Sequence, residues 1–329
     1  MEPKITYLVN EPLSDLLTRS SLVLSSCILA IVLLSNVLER WVLPRVYGTL
    51  WEELSLGHNE RRRRSFTYLH LGVVIMLTLM IFGAYPVFDF LVGHARLSSN
   101  FMGSRRSNIT YGDYLFTLSQ IYSAYYLFEM CFRTRFASPI SIAHHIGVLI
   151  VIQVALALFS DLKKHPEAII EFYMCMVWGS FDVVVELPLY TFMIVWRVRN
   201  NNHRLLSRMS YACCVWVLLG ATVETAVTIW LLQRSWDRWS LSFHIILPLV
   251  FSLWISTQLY GAGRIFGMAR SKARLANEYN DEVDQGIAAG PHHRKSREGR
   301  DLTDQTEIIN RHTILEGSFP NTSSPNFSR

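Results

Sequence analysis

The chain has 329 residues, half of them apolar and only 17% charged, against roughly a quarter charged in a soluble domain. The apolar residues fall in blocks of about twenty, the length a helix needs to cross about 30 Å of hydrocarbon. That excludes a soluble fold with charge scattered over amphipathic helices, and the formal charge of +5 reads as arginine placement around the blocks, with no nucleic-acid partner.

The expected fold class is all-α: a polytopic membrane bundle of about seven helices with a disordered C-terminal tail. Residues 1–19 carry Glu2, Glu11 and Asp15, with no basic n-region and no small-residue cleavage site. They read as an N-terminal segment ahead of a retained signal-anchor span. The spans expected from hydropathy are 20–38, 66–82, 114–132, 140–159, 168–195, 211–232 and 241–260. From Ser271 onward the apolar blocks stop, and a short helical start over 272–279 leads into a disordered tail. No internal repeat is evident.

Orientation follows from lysine and arginine near the span ends. One side collects 16 of them, among them Arg40, Arg45, Arg61 to Arg64, Arg197, Arg264 and Arg270, and the other collects 9, among them Lys4, Arg96 and Arg238. This puts the N-terminus in the lumen or outside and the C-terminus in the cytosol. Asn108 opens a glycosylation sequon in a loop this orientation makes lumenal, while the sequons at Asn321 and Asn326 fall on the cytosolic tail. The cysteines (Cys27, Cys131, Cys175, Cys213 and Cys214) show no Cys-x-x-Cys pair and no zinc spacing. They read as buried, small apolar side chains.

Ionisable groups inside hydrocarbon cost roughly 2.5–3.5 kcal/mol each on insertion scales, so those present are informative. They are Glu129 with Gln120 in the third span, His144 and His145 in the fourth, and Glu171, Asp182 and Glu186 in the fifth. Glu224 lies in the sixth and His244 in the seventh. Glu129 is one turn inside the cytosolic end of its span, and the histidines are one to two turns inside theirs. At about 1.5 Å per residue, Glu186 lies roughly 15 Å below that end and Asp182 roughly 20 Å. Glu129, His144, His145 and Glu186 are therefore expected to meet in the cytosolic half of the bundle, with Asp182 deeper.

Asp182 and Glu186 are four apart and share a helix face. Two close carboxylates do not both ionise cheaply there, so one holds a proton or shares a histidine's charge. Adjacent histidines point about 100° apart, so one faces the carboxylates. A histidine poised by a carboxylate is a general base for an amine or hydroxyl, or a nucleophile. The competing account is that these groups bond across helices and hold the bundle together. Histidine with carboxylate also suits zinc or iron, but the histidine clusters of a membrane di-iron enzyme are absent, so no metal and no bound cofactor are expected.

The stretch Tyr-Tyr-Leu-Phe-Glu-Met at 125–130, an arginine-containing turn, and Ser-Pro-Ile-Ser-Ile-Ala-His-His at 138–145 resemble the TLC domain, named for TRAM, Lag and CLN proteins. Residues 178–186 resemble the acidic motif of ceramide synthases. The likeness covers about 65–266, leaving 1–19 as a lumenal segment, 20–64 as a first span with a basic cytosolic loop, and 267–329 as the tail. The resemblance implies that His144 and His145 are catalytic, with Asp182 and Glu186 as acidic partners and Glu129, Gln120 and Tyr126 as supporting polar groups. It implies acyl-CoA as co-substrate, a lipid amine or other membrane lipid as substrate, and an endoplasmic reticulum location. A homo-oligomer is compatible with it. The chain departs from the synthases at Trp178-Gly179, where they carry His-Asp, and it lacks their homeobox-like insertion. TLC proteins that bind, sense or traffic lipids without catalysis form the alternative. A seven-helix receptor would bring an Asp-Arg-Tyr-like end to span three, and a transporter would bring repeat halves; neither is present.

Overall fold

The computed structural model describes residues 3–55, 60–101, 109–133 and 139–289. Among them the chain forms α1 (Ser20–Val37), α2 (Leu43–Tyr47), α3 (Thr49–Ser55), α4 (Glu60–Leu91), α5 (Tyr111–Arg133), α6 (Pro139–Leu158), α7 (Ala168–Val198), α8 (His203–Ser235) and α9 (Leu241–Ala289). Five residues of wider π-type turn, Leu38–Val42, join α1 to α2, and Gly48 breaks the line with φ +45°. Among the described residues, six helices are long and apolar enough to cross a membrane.

The remaining long helix, α5, corresponds to the third expected span and is more polar than the six. Its polarity has a structural cause. Gln120, Tyr122, Ser123, Tyr125, Tyr126 and Glu129 are all buried, so the helix turns its polar residues to protein rather than lipid. The centre and periphery separate clearly: two thirds of the apolar window of α7 is buried, against 17% for α1 and α9. The α7 helix packs against α4, α6 and α8, and α5 packs against α1, α4 and α6.

Close approach is set by glycine at two places. A side-chain carbon on Gly72 would stand 2.9 Å from the Tyr125 hydroxyl and the Tyr190 ring, and one on Gly220 would stand 2.5 Å from Val185. Small residues at such crossings let membrane helices approach without a hydrophobic driving force. Hydroxyls on lipid-facing surfaces bond back to the preceding turn, as Ser26 to the Leu22 carbonyl at 2.8 Å, Thr78 to Val74 at 2.7 Å and Ser252 to Pro248 at 2.7 Å. The hydroxyls of these three residues thus donate within their own helix.

Residues 3–19 do more than precede a span: they fold over one end of the bundle. The Lys4 ammonium donates to the carbonyls of Gly93 (3.1 Å) and Ala95 (2.6 Å), and Ile5 and Leu13 are buried. Burial pushes Lys4 below the usual lysine value, against the pull of Asp89 and Glu11. Glu11 accepts from the Leu97 amide at 2.8 Å, and Ser14 donates to Asp113 at 2.6 Å. From the far end of the sequence, Arg238 donates to the carbonyls of Ile5 (2.5 Å) and Leu8 (2.8 Å).

Three expectations are corrected. Cys131 is exposed rather than buried, because it lies two residues from buried Glu129, about 200° around α5 and so on its opposite face. The helical start of the tail reaches Ala289, since the mixed charges after Lys272 include the helix-compatible pair Arg274–Glu278 at 3.0 Å. The described residues 273–289 belong to a unit separate from those up to Lys272. Gln120 is buried against Ser20 of α1, donating at 3.2 Å, about 13 Å along α5 from Glu129. Asn108, and the tail expected to be disordered beyond residue 289, lie outside the described residues.

Arg238→Ala removes two charge-assisted bonds to the N-terminal segment, worth about 1 kcal/mol at this partly exposed site. Amide hydrogen exchange over residues 3–19 should accelerate about fivefold while the bundle core is unchanged. Unaltered protection there would show that Arg238 does not hold the segment.

Candidate functional site

The polar groups of four helices converge where α5, α6 and α7 meet, with α9 at the border. Three polar residues of α5, Tyr122, Tyr126 and Glu129, are spaced four and then three apart and share one face. The face of α7 carries Asp182, Glu186 and Tyr190 at intervals of four. Both helices run antiparallel to α6, whose first two turns hold the paired histidines.

His145 Nε2 stands 3.4 Å from Glu129 Oε1, and both side chains are buried. The ring of Tyr126 lies 4.7 Å from that of His145. His144 points elsewhere, as the 100° step between neighbours requires. Its ring packs edge-on against Trp254 of α9 at 4.5 Å and makes no hydrogen bond to a described residue. It lies within electrostatic range of Asp182, His145 and Glu129. The pair thus divides: His145 is anchored by a carboxylate, and His144 keeps its ring nitrogens uncommitted.

Asp182 is buried and accepts hydrogen bonds from the hydroxyls of both Tyr122 and Tyr126, whose hydroxyls are 3.2 Å apart. Glu186 sits one turn on. It accepts from Tyr190 at 2.8 Å, and Tyr190 meets Tyr68 at 3.0 Å and Tyr125 at 3.1 Å. The two carboxylates of α7 therefore face separate phenol groups rather than sharing one histidine. This separation eases the repulsion expected of two carboxylates one turn apart.

Of the residues expected at the site, the structure brings together Glu129, Tyr126, His144, His145 and Asp182. It places Glu186 in the adjoining tyrosine cluster and Gln120 against α1. Trp178 turns toward α8 and α9. Its indole donates to Thr228 at 3.0 Å and stacks on Phe251 with centroids 6.0 Å apart. Gly179 leaves open space, with nothing within 4 Å of where a side-chain carbon would stand, as does Gly147 one turn after His144. Among the described residues no three of His, Cys, Asp and Glu gather as metal ligands.

Sequence reasoning missed Tyr122, Tyr68, Tyr125 and Tyr190 because tyrosine is unremarkable in an apolar block. The usable signal was spacing: Tyr122/Tyr126 and Glu186/Tyr190 each lie four apart. Glu171 is buried beside Glu167, and His244 bonds the Trp236 carbonyl at 2.9 Å; neither joins the cluster.

Removing one partner of a buried bond leaves the other unsatisfied, whereas removing both is nearly neutral. Asp182→Leu should therefore lower the thermal midpoint of the detergent-solubilised protein by more than Asp182→Leu combined with Tyr122→Phe and Tyr126→Phe. A larger drop for the triple variant would contradict this assignment of the phenols to Asp182. In comparisons with known proteins, no family model, curated sequence or solved structure matches the chain.

Proposed function

We propose that this integral membrane protein transfers an acyl group from acyl-CoA to an amine or hydroxyl of a membrane lipid, as a TLC-like protein of the endoplasmic reticulum. The observation that carries the reading is the pairing of His145 with Glu129 beside an uncommitted His144, all buried in a helix bundle. Such groups are costly in hydrocarbon unless partnered, and a histidine with uncommitted ring nitrogens is suited to acid–base work.

In this reading, the lipid N–H or O–H attacks the thioester carbonyl. His144 takes the proton as the new bond forms, the C–S bond breaks, and His144 returns the proton to the leaving thiolate. His145 and Glu129 position the pair, and Asp182 with its two phenols supports positive charge on the imidazole. The arginine-rich end of the bundle would face the cytosol and an acyl-CoA phosphate, and Asn108 would face the lumen.

A second reading, lipid binding without chemistry, is favoured by one observation. Asp182 is taken up by Tyr122 and Tyr126, and Trp178 offers no second histidine toward it.

His144→Ala should abolish any change in ceramide or other acylated lipids that the wild-type gene restores to a deletion strain. His145→Ala should do the same, with both proteins stably inserted. Untargeted lipidomics is the measurement, and restoration by both variants would remove the catalytic reading. Independently, wild-type protein should lose apparent mass on endoglycosidase H treatment, and Asn108→Gln should not. An insensitive wild-type protein would contradict the proposed orientation.

A further inference from the structure

Outside that cluster, three buried polar atoms without a protein partner gather between α8 and α9. Glu224 is fully buried; its Oε2 accepts from Gln258 Nε2 at 2.7 Å, and its Oε1 has no partner. Gln258 Oε1 and Trp254 Nε1 are also buried and without one. Trp254 and Gln258 are four apart on one face of α9. The Trp254 indole comes close enough to interact with the Glu224 carboxylate, yet it stays outside hydrogen-bonding geometry. Neighbouring Trp178 shows how a structural indole is satisfied here, by donation to Thr228.

In hydrocarbon, polar atoms left unpaired are expensive. A carboxyl buried in hydrocarbon with no cation beside it keeps its proton. The unmet set is therefore two donors (Glu224 and the Trp254 N–H) and one acceptor (Gln258 Oε1), and its complement carries two lone pairs and one O–H or N–H donor. A methyl ester supplies acceptors only; a diol supplies both kinds of group. Access is lateral. Little of the apolar window of α9 is buried, Gln258 is half-buried, its neighbour Leu259 is exposed, and Gly261 opens onto free space. We propose that Glu224, Gln258 and Trp254 form an intramembrane recognition site for the dihydroxy head group of a neutral lipid whose tail lies in the bilayer. The site stands independently of acyl transfer. Water offers the same groups, and the experiment separates the two.

The full chain in phosphatidylcholine nanodiscs is loaded with monooleoylglycerol or methyl oleate, and retained lipid is counted by native mass spectrometry. Monooleoylglycerol should be retained at least tenfold better, because a site built around hydrogen bonds rejects analogues that cannot make them. Glu224→Leu should abolish that preference. Trp254→Phe, which keeps the ring against His144, and Gln258→Leu should each reduce it several-fold, so the test survives misfolding of the Glu224 variant. Equal retention of the two lipids by the wild-type chain, or an undiminished preference in Trp254→Phe and Gln258→Leu, overturns the proposal. Retention of neither lipid assigns the bridging role to water and overturns it as well.

Discussion

The structure depends on one constraint: inside hydrocarbon, a polar group must find its partner within the chain. The meeting of α5 with α6 and α7 is organised by it. Glu129 finds His145, Asp182 finds two phenols, and Glu186 finds a third in Tyr190. Each bond crosses between helices or spans one turn, so together they define the rotation of α5 and α7 about their axes. Apolar packing alone specifies little here, since lipid tails are as apolar as leucine. Gly72 belongs to the same arrangement, because only a residue without a side chain leaves space for the Tyr125 and Tyr190 phenols against α4.

Burial then grades outward from α7. Helices at the edge, α1 and α9, bury little of their apolar windows. The contacts of α9 include Phe251 and Trp254 against Trp178 and His144, Gln258 against Glu224, and Ala262 and Ile265 against α7 and α8. Trp254 is therefore shared, with one contact on the histidine pair and its indole nitrogen facing Glu224. A displacement of α9 would disturb both places together.

Much of this was legible in the residues. The long apolar blocks state the helices directly, because spanning length and composition are set by the bilayer. The meeting of Glu129 with the histidine pair followed from depth alone, since both lie within two turns of the same end. Rotation about the helix axis was not legible. It decides that His145 and not His144 meets Glu129, that Gln120 turns to Ser20, and that Trp178 faces α8. Hydropathy carries no azimuthal information for helices that are apolar on nearly every side. The closure of one end by residues 3–19 was also invisible. It rests on carbonyl acceptors at Gly93 and Ala95 that any sequence would supply.

That closure has a consequence for synthesis. The Arg238 guanidinium binds the carbonyl of Ile5, 233 residues earlier in the chain. Ribosomes add roughly 5–20 residues per second, so the N-terminal segment is made well over ten seconds before its last anchor exists. Lys4 and Glu11 find their partners sooner, once the segment around Gly93 to Leu97 emerges. The anchors of the segment thus emerge one after another, first on the turn after α4, then at Asp113 of α5, and finally on the turn after α8. The last anchor reports that the sixth long helix has been placed.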